Sequence, residues 1–193
     1  MTDRLLDRDL TVLVIVDVQE RLAAAMARRD AVIDAITFLI GVARIAGVPV
    51  VVTRQYPKGL GDTEPSLLAA LESNEESGAA IAHTDKVAFD CFNEPTFHAA
   101  IEGLGRCQMV IVGMESHICV TQTAVTAVTA GWDVHVVDDA CCSRAQNAHD
   151  IAMARLRAAG AVVTVAESVA YELLGEAGTP EFKELLGLVK QRS

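Results

Sequence analysis

The chain has 193 residues, 51% hydrophobic and 22% charged, and this length and composition predict one compact domain over residues 1–193. The formal net charge of −10 argues against non-specific nucleic-acid binding, because that binding needs a basic surface. No apolar run reaches the ~18 residues of a membrane span, and the N-terminus lacks the pattern of a signal peptide, so the sequence predicts a cytoplasmic protein.

Predicted strands and helices alternate along the chain. The run from Thr11 to Gln19 is continuously apolar, which is typical of a strand covered on both faces of a parallel sheet. Helical periodicity follows from about Glu20 to Ala46 and ends at Gly47, with Asp30 as a possible interruption or cap. The further strands are predicted at 48–53, 79–83, 109–112, 132–140 and 161–165. The further helices are predicted at 66–72, 95–104, 119–130, 145–159, 167–174 and 180–190.

This alternation predicts an α/β domain with a parallel six-stranded sheet and helices on both faces. Ligands bind such sheets at the carboxyl ends of the strands. Four polar side chains fall at or just after predicted strand ends and are therefore expected on one edge of the sheet: Asp17, Gln55, Lys86 and Cys119.

The stretch from Gln108 to Ala124 reads as a buried strand, a sharp turn and a helix with Cys119 in its first turn. A helix N-terminus favours a thiolate, so Cys119 is a candidate nucleophile. The alternative is a small core residue, because free cysteines are often buried.

Asp17, Lys86 and Cys119 together suggest nucleophilic catalysis. The ammonium of Lys86 would favour the thiolate, the carboxylate of Asp17 would act as the base, and turn N–H groups between Gly113 and Cys119 would stabilise an oxyanion. The alternatives are that Asp17 only caps a helix and that Lys86 is a solvated surface residue. His117 is two residues from Cys119 on a helix, so the two are not expected to face one another.

The five cysteines have no CxxC or zinc-like spacing, and we expect free thiols. Apart from Cys119 they are interpreted as structural: Cys91, Cys107, Cys141 and Cys142. No dinucleotide or P-loop fingerprint is present.

Four segments carry a family resemblance: VIVDVQERL, VTRQYPKGLG, TDKVAFDCF and IVGMESHICVTQTA. With them the chain resembles the isochorismatase-like cysteine hydrolases over essentially its whole length, and within them the isochorismatase-domain proteins and bacterial relatives of uncharacterised substrate. The resemblance implies a Rossmann-like three-layer fold with strand order 3-2-1-4-5-6. It implies Asp17 as base, Lys86 as charge partner and Cys119 as the nucleophile that forms a thioester. It also implies a cis peptide between Met114 and Glu115, and an oxyanion hole formed by the N–H groups of Glu115 and Cys119.

Nicotinamidases of this family bind a metal through D-x-H after the second strand. This chain has Gln55-Tyr56-Pro57 there, so we expect a metal-independent enzyme without a cofactor that cleaves a small amide or related acyl substrate. The expected pocket residues beside the triad are Gln19, Gln55, Tyr56, Phe89, Glu115 and Ile118.

Two other functions stay open from the sequence. One is a binding or scaffold protein that keeps the fold with little turnover, and the other is a thiol redox protein. Members of the resembled family usually form oligomers, and we expect Trp132 and Leu185 to be exposed. We therefore predict a homodimer or a larger assembly.

Overall fold

The computed structural model describes residues 5–192, and in these residues six parallel strands form one sheet in the order β3-β2-β1-β4-β5-β6. The strands are β1 Thr11–Val16, β2 Val50–Gln55, β3 Ile81–Lys86, β4 Gln108–Met114, β5 Asp133–Cys142 and β6 Val162–Thr164. The helices are α1 Glu20–Ala23, α2 Arg29–Ala46, α3 Pro57–Leu60, α4 Pro65–Glu76, α5 Pro95–Glu102, α6 Thr121–Thr129, α7 Gln146–Ala159, α8 Ala166–Leu174 and α9 Pro180–Gln191. A 3₁₀ turn spans Cys91–Asn93 and a π-helical turn spans Ser116–Val120. The predicted fold class and strand order are confirmed.

Helices cover both faces of the sheet, so the central strand β1 is buried along its whole length. One apolar cluster joins the sheet to α2, α8 and α9. The other joins it to α5, α6 and α7, and this second cluster contains Cys91, Cys119 and Cys141. Each face of the sheet therefore has its own core.

The first predicted helix is divided in two. Residues between Ala23 and Arg29 form a turn, in which the N–H of Met26 donates to the carbonyl of Ala23 (3.0 Å). The side chain of Met26 is buried in the core, so the chain bends to insert an apolar residue. Asp30 does not cap α2 but lies in its first turn.

Two strands run further than their apolar patterns indicate. β3 continues to Lys86 because it pairs with β2 through polar residues, Asp85 beside Arg54 and Lys86 beside Gln55. β5 continues through Cys142 after a register shift against β4. Lys86 is therefore the last residue of its strand rather than a loop residue.

The exposure expected for Leu185 is wrong, because its side chain is fully buried against the α2 side of the sheet. Trp132 is half-buried and packs on the second core cluster. An assembly of two or more copies remains a prediction that these two residues do not support. Across residues 5–192, every helix is too short or too polar to cross a membrane, and the cytoplasmic location also remains a prediction.

Candidate active site

Asp17 follows β1 directly and has a left-handed backbone conformation (φ 54°), which aspartate tolerates better than most residues. Its carboxylate is fully buried. Oδ1 accepts a hydrogen bond from the Thr53 hydroxyl (2.7 Å), and Oδ2 accepts one from Lys86 Nζ (2.6 Å). One oxygen of Asp17 is thus held by β2, the neighbour of β1, and the other by β3, the next strand along the sheet.

Lys86 is buried as completely as Asp17. Its ammonium donates to Gln55 Oε1 (2.7 Å) and faces the carbonyls of Ala88 (3.2 Å) and Phe89 (3.4 Å). Burial is the largest single effect and opposes the charge, but Asp17 together with the neighbouring Cys91 and Cys119 raises the pKa of Lys86 above its ordinary value. Lys86 is therefore an ammonium, with its donors directed at Asp17 and the loop after β3.

The nucleophile turn begins where β4 comes very close to β1. Gly113 has φ 125°, and a Cβ on it would stand 2.0 Å from the carbonyl oxygen of Val16, so only glycine fits there. The next peptide bond, Met114–Glu115, is cis. The π-helical turn Ser116–Val120 then carries Cys119, which is 5% exposed.

The thiol of Cys119 interacts electrostatically with both Asp17 and Lys86, so it belongs to the same buried charged site. Burial raises the pKa of the thiol, the charge and hydrogen bond of Asp17 raise it further, and Lys86 lowers it by a smaller amount. The resting group is therefore a neutral thiol. Lys86 lowers the pKa of the thiol, in the direction that the sequence predicts, but burial and the carboxylate of Asp17 together have the larger effect.

The ends of the turn are tied to the loop after β5. The Glu115 carboxylate is buried and accepts from the backbone N–H (2.9 Å) and Nε (3.1 Å) of Arg144. His117 is exposed, and its Nδ1 lies 2.9 Å from the Ser143 hydroxyl. The ring therefore contacts Ser143, a partner that the sequence does not predict.

Apart from Glu115, the expected pocket residues divide into two groups. Gln19 is fully buried: its Nε2 donates to the Gly61 carbonyl (2.7 Å), and its Oε1 accepts from the Gln55 N–H (2.7 Å). Gln55 is nearly buried, with its own amide between Lys86 and the Val87 carbonyl. We therefore move Gln19 and Gln55 from substrate contact to support of the site. The accessible members are Tyr56 and Phe89, which are half-exposed, and Ile118, which is partly exposed.

The sequence analysis missed two residues beside the charge pair. Thr53 was assigned only to a strand, although its polar side chain at the carboxyl end of β2 lies in register with Val16, directly before Asp17. Cys91 was interpreted as structural. Its fully buried thiol interacts electrostatically with Lys86 and Asp17, and burial raises its pKa to about 11. The Cys91 backbone N–H is fixed by the Thr123 hydroxyl (3.1 Å).

With the geometry established, the chain can be compared with known proteins. The family model for the isochorismatase domain matches residues 11–168. The chain belongs to the isochorismatase family. Isochorismatase domain-containing protein 2A of Mus musculus is 32% identical over 182 residues, covering 94% of this chain and 83% of the mouse protein. The family resemblance predicted from the motifs is thereby confirmed, and the family indicates a hydrolase.

Solved structures of other proteins share this isochorismatase fold. The MAR1 ribonuclease from Caenorhabditis elegans superposes with a TM-score of 0.85 at 31% identity, covering 97% of this chain and 93% of that one. YcaC from Pseudomonas aeruginosa, solved with hexane-2,5-diol and covalent acrylamide, superposes with a TM-score of 0.87 at 25% identity and the same coverage. Of these three similar proteins, the nematode protein is named for an activity and the other two are not, so family membership alone leaves the substrate undefined.

No group of three or more His, Cys, Asp or Glu side chains in residues 5–192 is arranged to hold a metal ion. At the position where the sequence analysis looked for D-x-H, Gln55 ends β2 and Tyr56 adopts a left-handed conformation (φ 39°) before α3. The donors there are an amide and a phenol, which are poor ligands for zinc compared with carboxylate and imidazole.

Proposed function

We propose that this protein is a metal-independent cysteine hydrolase that cleaves a small amide or related acyl substrate through a thioester on Cys119. One observation carries the proposal: a nearly buried thiol interacts electrostatically with a carboxylate that a buried ammonium holds in place. A carboxylate paired with the Lys86 ammonium can take the thiol proton as sulfur attacks.

In the first half of the reaction, the sulfur of Cys119 bonds to the carbonyl carbon and the thiol proton passes to Asp17. The C–N bond then breaks, and Asp17 gives that proton to the departing amine. In the second half, Asp17 takes a proton from water while the water oxygen bonds to the thioester carbon. The C–S bond breaks, the thiol recovers its proton from Asp17, and a carboxylic acid leaves.

The negative charge on the substrate oxygen needs donors in the nucleophile turn. We assign this role to the backbone N–H groups of Glu115 and Cys119, as the family resemblance implies. Each such donor contributes about 2.7–4 kcal/mol to transition-state stability. The Glu115 carboxylate is already paired with Arg144, so the backbone of Glu115, not its side chain, is the part proposed to act.

Substrate contact is assigned to the accessible residues around the opening. Tyr56 and Phe89 are half-exposed aromatic side chains on the loops after β2 and β3, and Ile118 is beside the nucleophile. The ammonium of Lys86 already donates to Asp17 and Gln55, so we do not assign it to a charged group of the substrate. Tyr56, Phe89 and Ile118 themselves carry no positive charge. This lining favours a small, neutral substrate with an apolar part.

The test is a panel of small amides, carbamates and ureas, followed by mass spectrometry for the gain of water and loss of amine. Wild type should convert at least one class, and Cys119→Ala should reduce its rate to that of the uncatalysed reaction. Cys107→Ala is the matched control, because that exposed cysteine lies just before β4, at the opposite end of the strand from the nucleophile turn.

Full activity in Cys119→Ala would contradict the thioester mechanism. Absence of turnover across the panel, with an ordinary rate of Cys119 alkylation, would favour the scaffold alternative. A single-stranded RNA oligonucleotide belongs in the same panel because of the nematode ribonuclease. We expect it to stay intact, since the chain has a net charge of −10.

A further inference from the structure

A row of three polar side chains lies behind the nucleophile turn. Ser116 Oγ is 2.9 Å from His149 Nδ1, and His149 Nε2 is 3.5 Å from an oxygen of Asp138. Ser116 belongs to the π-helical turn, His149 to the first half of α7, and Asp138 to β5. The three residues come from separate elements, so their alignment depends on the tertiary fold.

The row resembles a serine nucleophile with its base, but it cannot serve as a second such site. Ser116 is fully buried and His149 is 2% exposed, so no substrate carbonyl reaches the hydroxyl. The Asp138 side chain is the accessible member, at 39%. Because Ser116 and His149 are buried, the row can act only on the protein itself.

The hydrogen-bond directions follow from the carboxylate. Asp138 faces Nε2, which favours the tautomer with the ring proton on that nitrogen and a lone pair on Nδ1. The Ser116 hydroxyl then donates to Nδ1. The carbonyl of Ser116 accepts from the Thr121 hydroxyl (2.6 Å), so the side chain and the backbone of Ser116 are fixed from two directions.

Ser116 has a particular place in the turn. It immediately follows Glu115, whose N–H is assigned to the oxyanion, and it precedes Cys119 by three residues in the same π-helical turn. A rotation of the Ser116 backbone would therefore move the thiol and both proposed oxyanion donors together. Displacements of about 1 Å at a reacting group can change rates by roughly a hundred-fold.

We propose that His149 is a positioning residue for Cys119: it holds Ser116, while Asp138 holds the imidazole ring of His149. A role of His149 in catalysis rests on the proposed function. Its effect on the orientation of the Cys119 thiol does not depend on turnover. It adds to the triad a support that comes from α7 and β5, whereas Asp17 and Lys86 come from the ends of β1 and β3.

The experiment measures the rate at which acrylamide adds to Cys119. The sulfur bonds to the terminal alkene carbon, and the thiol proton ends on the neighbouring carbon. Peptide mass spectrometry gives the Cys119 rate relative to that of exposed Cys107 in the same molecule. This ratio cancels differences in reagent and in protein concentration.

Ser116→Ala and His149→Gln should lower the ratio about ten- to a hundred-fold, because each removes the bond between the serine and the ring nitrogen. His149→Asn should restore most of it, since the amide oxygen of asparagine can occupy the Nδ1 position and accept the Ser116 hydroxyl. The control is His135→Asn: His135 is an equally buried histidine near the start of β5, at the far end of the sheet, and its substitution should leave the ratio unchanged.

An unchanged ratio in Ser116→Ala, which loses a single oxygen atom and keeps the fold, overturns the proposal even where His149→Gln fails to fold. An equal loss in His149→Asn and His149→Gln also overturns it, because the ring volume rather than the acceptor would then matter. The amide panel tests a different claim. If the variants change the ratio of acrylamide rates but the protein hydrolyses no amide, the positioning role of His149 is supported and the proposed hydrolase function is contradicted.

Discussion

The two ends of the central sheet bury polar groups in opposite ways. At the amino end, Gln108 opens β4 with a neutral, nearly buried amide that has partners on both sides. Its oxygen accepts from the Asp7 N–H (2.7 Å) and the Thr11 hydroxyl (3.1 Å). Its nitrogen donates to the Leu5 carbonyl and an oxygen of Asp133 (both 3.1 Å).

At the carboxyl end, Asp17 and Lys86 bury two full charges. Desolvating each ion costs several kcal/mol even in a real protein, and a buried pair is often no more stable than apolar residues of the same volume. A satisfied amide such as Gln108 carries a much smaller penalty. The polar groups at the amino end therefore stabilise the fold at low cost, whereas the charge pair at the carboxyl end is not required for stability.

The largest effect should come from breaking the charge pair. Lys86→Met leaves Asp17 buried without its cation and should lower the free energy of unfolding by about 3–5 kcal/mol. Gln108→Leu at the other end should cost less, about 1–3 kcal/mol, because the groups that it leaves unpaired are mostly neutral. Urea unfolding at neutral pH measures both changes.

The double variant Asp17→Asn with Lys86→Met removes both charges. It should recover much of the free energy of unfolding that Lys86→Met loses. If Lys86→Met lowers the free energy of unfolding no more than Gln108→Leu does, the two ends of the sheet do not differ in the way described.

A smaller effect should appear when the pH is raised. Burial raises the pKa of Cys91 from 9.0 to about 11, so the unfolded chain loses this thiol proton before the folded one does. The associated stability is complete below pH 9 and is lost as the pH rises through 11, a change of about 2–3 kcal/mol.

Urea midpoints from neutral pH to pH 11 should therefore fall less steeply in Cys91→Ala than in wild type. Cys107→Ala, which removes an exposed thiol, should keep the wild-type slope. Parallel curves for wild type and Cys91→Ala would show that Cys91 contributes nothing to the alkaline loss.

The finest test separates the two charges by sign. Asp17 raises the pKa of the Cys119 thiol and Lys86 lowers it, so Asp17→Asn should lower this pKa and Lys86→Met should raise it. The pH dependence of iodoacetamide labelling at Cys119, with Cys107 as the reference in the same digest, measures the two shifts. If both variants shift the pKa of the Cys119 thiol in the same direction, one of the two residues does not influence the thiol as described.

The position of the site could be predicted because parallel strands bring their carboxyl ends to one edge. Asp17 and Cys119 follow β1 and β4, and Lys86 ends β3, so strand order alone gathers them. The hydrogen bonds among them could not be predicted, since they depend on register. The Thr53 hydroxyl reaches Asp17 because the adjacent Val16 pairs with Thr53, and an apolar pattern carries no such information.

His149 illustrates a signal that was present in the sequence. It shares a buried helical face with Ala152, Met153 and Leu156, and a histidine in such a stripe predicts a buried polar partner. The identity of that partner, Ser116, depends on how α7 packs against the nucleophile turn. The protonation state of Cys119 was also out of reach, because the depth of burial decides it.

The loop after β3 meets the Lys86 ammonium only through main-chain carbonyls, those of Ala88 and Phe89. The side chains of Val87 and Phe89 are more than half exposed and take no part in that contact. Any amino acid at position 89 supplies the same carbonyl, so selection or design can reshape the entrance without disturbing the charges beneath it. If Phe89 contacts substrate as proposed, single substitutions in this loop would change which substrates fit while the two carbonyls keep their place.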